Sequence, residues 1–371
     1  MKIWAHLVIE IYKAVMANIN KIIIWTKGID DFLKEKGTVG GITVQMYFWA
    51  QAFIENGWDV YSFSEKEKTS IEKIRFLKFP TIRFIGVFIE ILYSFFYIAC
   101  INPRVIIIRG AGRSLSYLRV YSRIFNVKLV LFGASDSDFE PGKELIKTEH
   151  DKKLFRFGLR GVHYVVAQNS RQKELLERNY GTTNCIIIPN IWRSTQRLNT
   201  TPASNSILWV GNFRSLKRPE WFLELSERFP EESFTMVGGA FDNGLFERCK
   251  GRAEEIPNMK FLGSVSFRKV NSLFASSKVF ICTSEIEGFP NTFLQAWANN
   301  KPVITTFDPS DIVKKEELGI VVGNSDELEK ALKYISDEGL YQQMQSNICK
   351  YFNETHNSEK NLKTLLAYLN I

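Results

Sequence analysis

The 371-residue chain is long enough for two domains, its 45% apolar content is that of a globular protein, and its formal net charge is +8. Five cysteines and four histidines stand singly with no C-x-x-C pair, which excludes a disulfide framework, argues against zinc and points to a reducing cytoplasm. Residues 1–190 hold 27 Lys and Arg against 18 Asp and Glu, and residues 191–371 hold 21 against 22, so the basic excess belongs to the first half. That field suits an anionic partner: nucleic acid, an anionic membrane or a phosphorylated substrate. Nothing resembling a nucleic-acid module accompanies it, so nucleic acid ranks last.

Residues 1–20 are amphipathic at helical spacing but carry His6, Glu10 and Lys13, which interrupt the apolar centre a signal peptide needs. They read as an N-terminal extension. A strand is expected over 21–26, then a loop ending in Gly40-Gly41, a helix over 43–56 stopped by Gly57, and a second strand over 58–62. A double glycine in the first loop of such a β-α-β unit lets backbone approach a phosphate, and any tight loop also uses one. Residues 73–83 interleave Lys73, Arg75, Lys78 and Arg83 with apolar side chains, which suits an anionic membrane surface or the solvated flank of a buried helix. The apolar run over 84–101 is barely long enough to span a bilayer and contains Glu90; a helix covering a sheet is the expectation.

Strands follow over 105–108, 128–132, 161–167 and 186–190, with Ser170 as a helix N-cap before 171–179. Asp136-Ser137-Asp138 after the 128–132 strand could hold a divalent cation, cap a helix or form a turn. Residues 192–206 are polar and aperiodic and read as the interdomain connection. A second α/β series starts at 207–211. Its glycine is followed by Arg214, Lys217 and Arg218 and by a helix opening at Pro219, a plausible anion cradle. At 279–282 a buried parallel strand is expected, and at 284–297 the stretch SEIEGFPNTFLQAW turns from it into a helix. An acidic residue, a glycine and an aromatic ring thus sit where an open α/β sheet forms its ligand crevice and where a helix start offers free N–H groups to an anion.

Gly211 with Lys217 six residues on, Phe261-Leu262-Gly263, Ser284-x-x-Glu287-Gly288-Phe289-Pro290-Asn291-Thr292 and Ala298-x-x-Lys301-Pro302-Val303-Ile304 together resemble the nucleotide-sugar domain of family 4 glycosyltransferases of the GT-B fold. Gly40-Gly41, Arg109-Gly110, Ser135-Asp136 and 166–173 extend the resemblance into the first half. It implies two Rossmann-like doubly wound domains facing across a cleft: an acceptor-side domain over 21–190, a linker over 191–205, a nucleotide-sugar domain over 206–355, and a C-terminal helix over 356–371 that can cross back to the first domain. It also implies retaining transfer of a sugar from a nucleoside diphosphate to an acceptor hydroxyl, with no metal or other cofactor.

By the same resemblance Lys217, with Arg214, holds the diphosphate; Glu287 orients the sugar hydroxyls; Gly288, Phe289, Pro290, Asn291 and Thr292 supply the helix start; and Gln295 meets the ribose. Gly41 and Gly211 approach the phosphates, and Gly263 and Ser264 lie near the base. Three positions depart from the family pattern: Gln295 replaces the second acid of its Glu-x7-Glu motif, Asn212 replaces an arginine beside the loop glycine, and Ser135 replaces an acceptor-side histidine, leaving Asp136 as the nearest polar candidate. The expected role is transfer to a polysaccharide or lipid-linked oligosaccharide at the cytoplasmic face of a membrane, with peripheral contact to anionic lipid. The rivals are a nucleotide-sugar epimerase of the same architecture and a catalytically silent subunit of a transferase complex. The absent G-x-G-x-x-G fingerprint disfavours a dehydrogenase.

Overall fold

The structure is a computed structural model that describes residues 20–34, 40–64, 69–78, 86–182, 184–193 and 206–371. Residues 1–19 of the extension, 79–85 of the basic-apolar stretch and 194–205 of the connection lie outside these. Among the described residues the chain forms two compact units: 20–34, 42–191 and 358–371 make the first, and 40–41 with 192–357 the second.

The first unit is built on strands β1 (Lys21–Trp25), β2 (Asp59–Ser64), β3 (Thr69–Ile71), β4 (Ile74–Lys78), β5 (Val105–Arg109), β6 (Lys128–Phe132), β7 (Tyr164–Ala167) and β8 (Cys185–Ile187). Their order is β3-β4-β2-β1-β5-β6-β7-β8, parallel throughout except for the antiparallel pair β3/β4. Ile22, Ile23, Ile24, Val105, Ile106 and Ile107 are fully buried, as unbroken aliphatic runs must be when helices cover both faces of a parallel sheet. The closing helix Ser358–Tyr368 belongs to this unit: Tyr368 Oη donates to the Asn184 carbonyl at 2.7 Å, and its ring packs edge-on against Tyr164.

Two features differ from the sequence reading. The stretch beginning at Lys73 enters the sheet as β4. Glu72 and Lys73 both adopt positive φ (48° and 65°), the two-residue turn that matches the twist of a hairpin, and Ile74 and Phe76 turn inward while Arg75 stays exposed beside Asp59 at 3.3 Å. The N-cap of the helix Ser170–Tyr180 is Asn169, whose side chain accepts from Gln172 N–H, so Ser170 is the first helical residue. No described helix is long and apolar enough to cross a membrane.

The second unit contains β9 (Ser206–Val210), β10 (Phe234–Val237), β11 (Met259–Phe261), β12 (Ser277–Cys282), β13 (Val303–Thr305) and β14 (Gly319–Val321), all parallel in the order β11-β10-β9-β12-β13-β14. Numbered within the unit this is 3-2-1-4-5-6, the doubly wound order in which ligands bind at the carboxyl ends of the two strands where the order reverses. Here those strands are β9 and β12. The loops leaving the sheet are drawn together: Gly211 N–H donates to Val237 O at 3.0 Å and Gly238 N–H to Gly263 O at 2.9 Å. A Cβ on Gly238 would lie 1.7 Å from Gly211 O, so only glycine permits that approach.

Candidate functional site

The carboxyl end of β9 leads through Gly211 and Asn212 into a 3-10 turn, Ser215–Lys217, and the carboxyl end of β12 leads through Thr283 and Ser284 into Glu287. Both segments therefore emerge at the switch point. Backbone and side-chain bonds staple them together: Glu285 N–H donates to Leu216 O at 2.8 Å, and Thr283 Oγ1 donates to Lys217 O at 2.6 Å while accepting from Trp209 Nε1 at 3.0 Å. Thr306 Oγ1 donates to Ser284 O at 2.8 Å from the end of β13.

On this frame the half-buried Lys217 ammonium and Glu287 carboxylate form an ion pair, and Ser284 Oγ donates to the same Glu287 Oε1 at 2.9 Å. Cation and carboxylate each satisfy the other here and share a hydroxyl. Arg214 stacks its guanidinium over the exposed Phe241 ring at 3.5 Å, with its buried Nε unpartnered. Burial, more than the nearby Glu287 charge, pushes the Cys282 thiol up at the end of β12.

The helix Asn291–Ala298 starts after Pro290 with no side-chain cap, and the positive end of its dipole favours an anion there. One turn on, Gln295 is 5% exposed and its amide nitrogen has no hydrogen-bond partner. An orphaned buried donor of this kind costs stability unless a ligand meets it. Phe289 packs on Trp297 and His356, which holds the Glu287 loop against the helix behind it. Gly263 has φ +61°, a left-handed conformation that favours glycine, and Ser264 beside it is exposed. Gly41 groups with this unit, where Asn291 Nδ2 donates to its carbonyl at 3.0 Å.

Sequence reasoning singled out Lys217, Glu287, Arg214, Gly211 and Gln295; the fold puts the first four on the loops leaving β9 and β12 and Gln295 inside the helix that follows the β12 loop. It missed Thr283, Trp209 and Thr306, which act on Lys217 and Ser284 through the backbone or through one another. A single threonine at a strand end carries no pattern to betray such a bond.

Asp136 lies in the first unit, in the 3-10 turn Asp136–Phe139, and pairs with Arg171 at 3.1 Å. Ser135 is the N-cap of that turn, and the buried Asp138 closes a capping box by accepting from Ala134 and Ser135 N–H. Burial raises the Asp138 pKa against those bonds and the charge of Arg109. The first sheet has its own switch point, between β1 and β5, where a cavity of about 330 Å³ is lined by Trp25, Phe63, Glu90, Arg109 and Arg113 among others. Glu90 there accepts from Tyr117 Oη at 2.8 Å, and Arg109 donates to Asn190 Oδ1 at 2.6 Å. Burial pulls the Arg109 guanidinium down to about 10, opposed by the Asp138 charge.

Residues 204–338 match the family model of glycosyl transferases group 1. A curated relative, the alpha-galactosylglucosyldiacylglycerol synthase of Streptococcus pneumoniae (strain ATCC BAA-255 / R6), is 25% identical over 225 residues, which is 55% of this chain and 60% of that enzyme. The chain thus spans less than two thirds of that relative. Among solved structures, sucrose-phosphate synthase from Thermosynechococcus elongatus superposes with a TM-score of 0.72 at 16% identity, covering 95% of this chain and 98% of that one. UDP-GlcNAc 2-epimerase from Methanocaldococcus jannaschii superposes with a TM-score of 0.64 at 11% identity over 94% and 99%. These likenesses concern the fold. Residues 204–338 of the second unit thus match a glycosyl transferases group 1 domain, and the chain has the GT-B fold.

Proposed function

We propose that the protein is a retaining, metal-independent glycosyltransferase that moves a sugar from a nucleoside diphosphate to a glycan or lipid-linked acceptor at the cytoplasmic face of a membrane. The observation that carries this reading is the Lys217–Glu287–Ser284 constellation at the switch point of the second sheet. Breaking the sugar–phosphate bond leaves growing negative charge on the diphosphate. A cation on a braced loop and an uncapped helix start, both in place before the reaction, stabilise that charge with little reorganisation. In the free protein Glu287 neutralises Lys217. When donor binds, the ammonium exchanges the carboxylate for phosphate oxygens, and Glu287 is released to accept from the sugar hydroxyls with Ser284 beside it.

Arg214 supplies a second cation to the diphosphate, and the Gln295 amide meets a ribose hydroxyl. The first unit binds the acceptor: its basic excess attracts an anionic glycan or lipid headgroup, and its cavity at β1 and β5 combines aromatic walls with Glu90, Arg109 and Arg113.

Thermal unfolding of the full chain against UDP-, GDP- and ADP-sugars tests the donor site, because a ligand that binds only the native state raises the midpoint. One nucleotide-sugar should raise it, and Lys217→Ala should abolish the rise; a panel without effect overturns the reading. The epimerase alternative, which the shared fold with UDP-GlcNAc 2-epimerase favours, turns over donor in the absence of acceptor. Donor consumption that requires an added acceptor separates the two.

A further inference from the structure

We infer that the first unit carries a docking surface for an anionic lipid bilayer, formed by the outward faces of three neighbouring helices rather than by the basic stretch at Lys73. The helix Gly86–Ile101 buries Ser94, Ile98 and Ile101 and turns the opposite side outward, where Phe88 is 72%, Leu92 68% and Phe96 60% exposed. These residues recur at helical spacing, so they form one stripe. Phe95 stacks on Tyr121 and Phe125, which joins the stripe to the helix Ser114–Ile124, where Val120 and Ile124 are exposed. Arg119 lies over the exposed Phe157 ring of the helix Glu149–Leu159 at 4.4 Å and extends the patch again. A run of large exposed side chains across three elements is more than the scattered apolar residues of an ordinary surface.

Charge selects the occupant. The helix Ser114–Ile124 carries Arg119 and Arg123 and no Asp or Glu, and Glu90 is the one charged residue of the helix Gly86–Ile101. Glu90, the acid of the first of these helices, is turned to Tyr117 and Ser114 in the cavity wall. Arg123 stands exposed next to Ile124 and forms no ion pair among the described residues. Aromatic and aliphatic side chains rimmed by arginine fit an interface of acyl chains and anionic headgroups. A helix of 16 residues is about 24 Å long, short of the roughly 30 Å hydrocarbon core, and its inner side is packed, so it lies on the bilayer and does not span it.

This surface deepens the membrane-facing part of the function proposed above and rests on that part alone, independent of the donor site. The test is co-sedimentation of the full chain with phosphatidylcholine vesicles and with vesicles that also contain phosphatidylglycerol. The wild type should bind the anionic vesicles selectively. Replacing the stripe, Phe88→Ser with Leu92→Ser and Phe96→Ser, should weaken that binding by about tenfold or more while the unfolding midpoint and its rise with donor are kept. Arg123→Glu should weaken it by several-fold and reduce its salt dependence. Equal binding to neutral vesicles, unchanged binding by the triple variant, or a wild-type dimer that ignores vesicles and is dissociated by the triple substitution would each overturn the assignment. A donor-induced midpoint rise that persists in those cases leaves the transferase reading in place.

Discussion

Thr283 and Lys217, 66 residues apart in sequence, are joined by a 2.6 Å hydrogen bond from the threonine hydroxyl to the lysine carbonyl. The hydroxyl also accepts from Trp209 Nε1 at 3.0 Å, so one fully buried side chain ties β9, β12 and the cation-bearing loop together. Thr283→Val keeps the shape and removes both bonds, leaving a buried indole N–H unpartnered. Stability should fall by about 1–3 kcal/mol, and the donor-induced midpoint rise should shrink because the Lys217 loop is no longer held. The conservative Thr283→Ser should restore both. An unchanged midpoint and donor response in the valine variant would show that the bond does not position Lys217.

Lys217→Ala tests the cation itself. Turnover should drop about a hundredfold or more, as when a group that stabilises developing charge is removed. The ion pair with Glu287 is only half-buried, so the unfolding free energy should change by no more than about 1 kcal/mol. Undiminished transfer by a correctly folded Lys217→Ala protein would remove Lys217 from the site.

Gln295 is where the chain departs from the Glu-x7-Glu pattern, and its buried amide nitrogen awaits a partner. Gln295→Ala should lower donor affinity by about tenfold, the cost of one lost hydrogen bond to a hydroxyl. Gln295→Glu keeps an acceptor for the ribose and should retain donor binding, with some loss of stability from placing a carboxylate in a buried position. Donor titrations of the two variants and the wild type decide the matter; identical affinities in all three place Gln295 outside the donor site.

The five thiols divide by burial. Burial pushes Cys185 and Cys249 up to about 11 and raises Cys282, whereas Cys100 and Cys349 are exposed. At pH 8 a thiol with a pKa near 11 is about one part in a thousand thiolate. Native protein should therefore alkylate at Cys100 and Cys349 alone, with the other three reacting only after denaturation. Mass spectrometry of labelled peptides reads this directly, and rapid native labelling of Cys282 would show that the end of β12 is not packed as described.

Sequence alone determined the α/β class of each half. Unbroken aliphatic runs such as Ile22-Ile23-Ile24 and Val279-Phe280-Ile281 demand a parallel sheet covered on both faces, and the glycine turns that follow them mark where chain leaves the sheet. Lys217, Glu287 and Gln295 became donor-site candidates through the family resemblance of the motifs that carry them. Tertiary structure decided what spacing cannot encode. It showed that Ile74–Lys78 is a strand, because a left-handed turn at Glu72 and Lys73 pairs it back on β3. It placed the closing helix with the first unit and assigned Thr283 its partners. It also separated the two sides of the helix Gly86–Ile101, where the polar Glu90 and Ser94 lie on the covered side, so only packing could reveal that Ile98 is covered and Phe88, Leu92 and Phe96 are not. Hydrogen bonds and burial between segments far apart in sequence depend on which strands become neighbours, and strand order is a property of the folded sheet.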